Sequence, residues 1–351
     1  MRKTLRTRVL RTAAVLGSLA LALAGCGGAG QVSRPVAGTW DEVVAAANTE
    51  GAVTIYSTQA QPVLADLEKA FESAYPQIDL TVVRGVDADL LSRIDAESRT
   101  GKGAGDIAVI TDVSWMQQAE GTDSAVEVVG PAFDAPEYRR ADSIVDGKFF
   151  LEGAVILGFG WNTAAYPKGI RTAQDLLDPA LKGKVGVVTP ATSPTYIDYY
   201  DHIEEHYGGR DFLRQLAQNS PRIYPSSQPL GQALASGEIV AALMCNPMLP
   251  ERAAGAPVAW TEGPHVWGAR WYGLALGSAP HPNAAQVLAD FMVSRPGQQA
   301  TSPGYGAVLP DIDGALAVAQ DVPDQNLAVT IGEGAERYRN EWEEIFLNPS
   351  P

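Results

Sequence analysis

Short β-branched runs alternate with amphipathic stretches along most of this chain, and few folds accommodate that alternation. Residues 40–49, closed by Gly51, read as a helix, and residues 52–56 form a β-branched run suited to a buried parallel strand. Residues 62–75 follow as an amphipathic helix with Leu64, Leu67, Ala70, Phe71 and Ala74 on one face, and Pro76 stops it. A second strand over 78–83 leads through Arg84 and Gly85 into a helix over about 87–98. A third, 106–110, opens onto Thr111 and Asp112 and a helix around Trp115. Units of this kind predict an α/β fold, a mostly parallel sheet with helices on both faces.

After Gly147 the pattern changes. Residues 149–161 are a long apolar stretch interrupted by Gly153, Gly158 and Gly160, a strand able to bend and pass from one lobe to another. A second α/β unit begins beyond it, with a helix and turn over 173–181, strands over 184–188, 222–224 and 239–244, and helices over 195–207, 211–218 and 230–236. Residues 267–276 read as the return crossing, followed by helices over 283–294 and 334–346. Roughly 310 residues are enough for large cores, and a chain of that length commonly divides into two lobes.

The amino terminus addresses the compartment. Arg2, Lys3, Arg6, Arg8 and Arg11 precede a short apolar run, 13–24, that is a poor permanent span, so residues 1–25 read as a signal peptide. The run ends in Leu23, Ala24, Gly25 and Cys26, which resembles the bacterial lipobox. The Cys26 thiol would then carry a palmitate-type diacylglyceryl group and hold the chain on the outer face of the cell membrane. Residues 26–39, rich in Gly, read as a lipid-anchored flexible tether. Loss of the five basic residues takes the formal charge from −15 to −20, which disfavours nucleic acid as a partner. Only Cys245 remains after Cys26, so no intrachain disulfide is expected in the mature chain.

Several stretches resemble a known family: 51–57, 70–76, 175–185, 237–243, 280–285 and 294–298. They are similar to the extracellular solute-binding proteins of ABC importers, in the branch with ferric-ion, phosphonate, sugar-phosphate and polyamine binders. No single stretch is specific; their order is. The resemblance implies a two-lobed type II periplasmic-binding-protein fold, the lobes joined by crossing strands and closing over ligand. Lobe 1 would comprise 40–152 with 270–315, and lobe 2 would comprise 153–269 with 316–351. It also implies a monomer that hands a small-molecule ligand to permease and ATPase subunits, without cofactor. Ferric binders of this branch typically place a His after the first strand, a Glu after the third, and a tyrosine pair after the strand that follows Gly-Glu-Ile. Here those places hold Gln59-Ala60, Thr111-Asp112 and Met244-Cys245-Asn246-Pro247. A hard trivalent cation needs anionic oxygen ligands that these do not supply, so no metal is expected. Tyr199 and Tyr200 lie inside a helix and read as packing against the sheet.

In open α/β sheets ligands sit beyond the carboxyl ends of strands. The candidates there are Ser57, Thr58 and Gln59, then Thr111 and Asp112, and from the other lobe Thr189, Thr192, Ser193, Thr195, Ser226, Ser227, Gln228 and Asn246. Hydroxyls and free N–H groups at helix starts can hold an anionic oxygen or a sugar hydroxyl. Each can equally be a helix N-cap, and the recurrence at successive strand ends carries the weight. Tyr196, Trp161, Trp271 and Tyr272 are candidate walls, Arg84 and Arg270 candidate counter-charges, and Asp112 a candidate partner for an ammonium group. The expected ligand is a small organic solute bearing phosphonate, phosphate ester or hydroxyl groups.

Two rivals are weighed. The same fold can serve as a ligand-sensing module for a membrane receptor. His202, Glu205 and His206 match the H-x-x-E-H pattern of inverted zinc proteases, but the remaining histidines, His265 and His281, sit beside prolines in apparent loops and make a poor third ligand. No G-x-S-x-G elbow occurs, and binding without catalysis is the favoured reading.

Overall fold

The computed structural model describes residues 32–348; the expected signal peptide (1–25), Cys26 and the first part of the expected tether lie outside that range. Helix α1 (Trp40–Glu50) starts at a Thr39–Glu42 capping box and ends at Gly51 in the left-handed region. Then come β1 (Ala52–Ser57), α2 (Gln61–Ala74), β2 (Asp79–Arg84), α3 (Asp87–Thr100), β3 (Ile107–Ile110), α4 (Val113–Ala119) and the short β4 (Ala125–Val126). Helix α2 buries Leu64, Leu67 and Phe71 of the expected stripe together with Val63, whereas Ala70 is half-buried and Ala74 exposed. A short α5 (Arg140–Ser143) and β5 (Ile144–Val145) precede the long β6 (Phe149–Asn162).

The second unit runs β7 (Val185–Val188), α6 (Pro194–Tyr207), α7 (Gly209–Gln218), β8 (Arg222–Tyr224), α8 (Ser227–Ser236), β9 (Ala241–Cys245), α9 (Leu249–Ala253) and β10 (Val258–Thr261). The chain returns through β11 (Trp267–Leu276) to α10 (Pro282–Val293) and α11 (Arg295–Thr301). Two-residue strands β12 (Gly306–Ala307) and β13 (Ala317–Val318), α12 (Leu327–Thr330) and α13 (Gly332–Phe346) complete it.

Strand order β2-β1-β3-β11-β6-β9-β7-β8 makes one hydrogen-bonded path, with β1 parallel to β2 and β3 at one end and β7 parallel to β8 and β9 at the other. Between them β6 and β11 run antiparallel from Trp267 opposite Leu157 to Leu274 opposite Phe149. Along β6 the neighbours change. Phe149 and Phe150 pair with β5, whereas Gly158 to Trp161 pair with β9 across a register shift at Gly158/Phe159. The glycine-interrupted run is thus the strand that passes between the two halves, each a mostly parallel sheet with helices around it.

Packing at this crossing is tight. A Cβ at Gly273 would lie 2.1 Å from Cζ of the fully buried Phe150, so the ring occupies the space a side chain would need.

Two expectations are corrected. Residues 173–181 form two 3₁₀ turns, Ala173–Leu177 and Pro179–Leu181, because Asp178 precedes a proline and sits at ψ 124. The flexible tether ends sooner than its composition suggests. Ser33 N–H donates to Gly277 O and Val36 N–H to Asn283 Oδ1, both at 2.8 Å, and Val32 packs on Val126, Ala275 and Ala285. The packing of Val32 and the two backbone donors dock it, while the Val36 side chain stays exposed.

Candidate ligand-binding site

The carboxyl ends of β1, β2 and β3 face those of β7, β8 and β9, and the loops that leave them meet. Asp87, the first residue of α3, is the hub. Its Oδ1 accepts from Thr111 N–H (3.0 Å), and its Oδ2 accepts from Thr111 Oγ1 (2.7 Å) and Ser193 Oγ (2.6 Å). Burial pushes the Asp87 carboxyl up, against the pull of the Ser193 and Thr111 donors. Thr195 Oγ1 lies 2.9 Å from Thr111 Oγ1, and Gln325 Nε2 donates to Thr111 O (2.9 Å) and Thr195 Oγ1 (3.1 Å). Ala88 N–H reaches Thr192 O at 3.3 Å.

Beside this seam lies a small cavity of about 40 Å³, walled by Thr58, Arg84, Asp87, Thr111, Ser193, Thr195, Tyr196, Ser227, Gln228, Asn246, Trp271 and Tyr305 among others. Arg84 is its cation. The guanidinium donates only at long range, Nε to Gln59 O (3.4 Å) and Nη2 to Ser226 Oγ (3.5 Å), and burial lowers its pKa. Trp271 and Tyr305 meet with ring centroids 5.2 Å apart. A larger chamber of about 500 Å³ adjoins it through Ala60, Ser227, Gln228, Asn246 and Tyr305, and is lined further out by Val63, Pro247, Met248, Leu249 and Pro303.

The candidates divide by where their side chains go. Thr58, Thr111, Ser193, Tyr196, Ser227 and Asn246, with Trp271, line the small cavity together with Thr195 and Gln228. Ser57 and Gln59 sit just behind it: Ser57 Oγ lies 3.2 Å from Gln59 Oε1, and Gln59 Nε2 donates to Glu152 Oε2 at 2.9 Å. Ser226 supports Arg84 from outside the wall. Asp112 caps α4, accepting from Trp115 N–H and Ser114 Oγ. It shares a separate hollow with Thr192, whose hydroxyl donates to Pro225 O. Tyr272 and Arg270 line another hollow, where Arg270 pairs with Asp324 at 2.6 Å. Asp87 is absent from the sequence candidates although it follows the carboxyl end of β2 as Thr111 follows that of β3, and that position is its signal. Tyr305 carries no local signal, since it reaches the cavity only by the folding of the segment after α11.

Glu152, in the crossing strand β6, is 1% exposed; its Oε1 has no partner among the described residues, and burial pushes its carboxyl up to about 7. Tyr199 and Tyr200 are buried, with Tyr200 Oη donating to Val188 O, and Cys245 is buried with its thiol pushed up by burial. His265, beside Pro264 in the loop before β11, stacks on His206 at 4.2 Å between centroids, and His202 lies beside them. The rings lie face to face, and among the described residues no three His, Cys, Asp or Glu side chains converge as a metal shell.

Residues 53–302 match the family described as bacterial extracellular solute-binding protein. A search of curated proteins finds no significant match. Among solved structures, the chain is similar to the substrate-binding protein of an ABC transporter from Agrobacterium tumefaciens, at TM-score 0.72 and 14% identity over 84% of this chain and 94% of that one. It is also similar to the periplasmic binding protein AfuA from Actinobacillus pleuropneumoniae, solved with fructose-6-phosphate (TM-score 0.69, 19% identity, 85% and 99% covered). Iron-bound HitA from Pseudomonas aeruginosa superposes at TM-score 0.61 with 20% identity, covering 84% and 99%. At these identities the likeness is one of fold.

Proposed function

The chain belongs to the bacterial extracellular solute-binding proteins, and from that premise we propose that it captures a small organic solute in the cleft between its halves and delivers it to an ABC importer. The family places it outside the cytoplasm. In this reading the lobes are 40–152 with 270–315 and 153–269 with 316–351, and Cys26 anchors the mature chain through lipid. The role is binding, with permease and ATPase subunits as partners and no chemistry performed on the solute.

One observation carries the reading: polar side chains from the strand ends of both sheets converge on a single cavity, with Thr111 and Asp87 on one side and Ser193 and Thr195 on the other. A solute that touches both sides favours the closed arrangement by its differential affinity for it. The test is a thermal-shift screen of organic anions, polyols and polyamines, followed by small-angle scattering with each hit. A true ligand at one hundred times its dissociation constant stabilises by about 2.7 kcal/mol. Hits that leave the radius of gyration unchanged would sink the closure mechanism. Labelled palmitate should enter the wild-type chain and not Cys26→Ala.

A further inference from the structure

We propose that the solute is a monoanion with an apolar tail, its charged head on Arg84 in the small chamber and its tail in the larger one. This deepens the solute-binding reading and rests on it. Size is the first argument. A water-sized group takes about 10–15 Å³ by this measure, so the small chamber, about 40 Å³, holds a carboxylate or phosphonate head and not a sugar ring.

Charge is the second argument. Among the described residues, Arg84 is the only cationic side chain lining either chamber. Its neighbours are a carbonyl and a hydroxyl at 3.4 and 3.5 Å, which leaves guanidinium donors free for a bidentate oxyanion. Arg270, by contrast, is taken by Asp324. Asp87 does not take its place as a receptor for cations, because Thr111 and Ser193 already supply three donors to it.

The third argument is the lining of the larger chamber. Val63, Met248 and Leu249 make its wall mainly apolar, although Gln61, Gln232 and Asn246 also line it, and a mainly apolar wall favours an alkyl tail over a polyol. Asp66 and Glu251 also line it and repel a second negative charge, so the head must be the only one.

Calorimetry on the full mature chain tests this with hexanoate and hexylphosphonate against 1-hexanol, adipate, glucose 6-phosphate and spermidine. The two alkyl anions should bind, hexanol should not, and adipate should bind more weakly than hexanoate. From butanoate to octanoate each methylene should tighten binding about threefold to fourfold. Arg84→Gln should weaken hexylphosphonate by roughly tenfold or more. Val63→Thr and Leu249→Asn, which leave Arg84 intact, should flatten the dependence on chain length. Binding of glucose 6-phosphate, spermidine or adipate in preference to hexanoate overturns this assignment and leaves solute binding standing. Failure of every probe class to bind overturns both.

Discussion

In front of the cleft the halves meet through Asp87, Thr111, Ser193 and Thr195, all hydroxyl and carboxyl groups; behind it they are joined by β6 and β11, paired in a sheet and packed with fully buried Phe149, Phe150 and Leu151. Water can take over each front contact, because a neutral hydrogen bond exchanged for one to solvent changes free energy by only about 1 kcal/mol. The rear contacts offer no such exchange. In the proposed closure, the front is the join that would open and the rear the one that would hold. Glu152 crosses the divide: it lies in the apolar rear strand yet hydrogen-bonds Gln59, next to the cleft.

The sharpest way to break the comparison is at the rear. Phe150→Ala should destabilise the whole fold by about 3–5 kcal/mol, read as a fall in urea midpoint. A loss confined to ligand affinity would mean the crossing is not the structural join.

Glu152 comes next. With its carboxyl raised to about 7 from an ordinary 4.5, the fold favours the protonated acid. That stabilising contribution is complete below about 4.5 and lost as pH rises through 7. Glu152→Gln keeps the neutral form at every pH. It should match wild type at acid pH and exceed it above 7 by on the order of 3 kcal/mol, measured by denaturation at both ends.

At the front, Thr195→Val should leave global stability nearly unchanged and shift the open–closed balance by about 1 kcal/mol. Lobe-to-lobe fluorescence transfer would read that shift, and a large stability loss instead would mean the seam is structural. The smallest effect is expected at Thr192→Ala, whose hydroxyl serves only Pro225 O outside the cavity. Ligand affinity should stay within about twofold and stability within about 0.5 kcal/mol.

Much of the fold was legible because it rests on local pattern. The alternation of β-branched and amphipathic segments placed β1, α2, β3, β6 and β11 within a residue or two, and the glycines of β6 marked the strand whose neighbours change. Thr58, Thr111, Ser193, Thr195, Ser227 and Asn246 line one cavity because strand ends are where open sheets leave backbone and hydroxyl groups exposed. Side-chain direction was not legible. Thr192 and Ser193 are adjacent, and one turns to Pro225 while the other turns to Asp87. Arg84 and Arg270 looked alike as isolated cations until Asp324, distant in sequence, came to lie beside one of them. Periodicity along a chain determines which residues form strands and which face they bury. Which charge is left unpaired, and which tyrosine closes a cavity, depends on partners brought from far along the chain, and only the tertiary structure decides that.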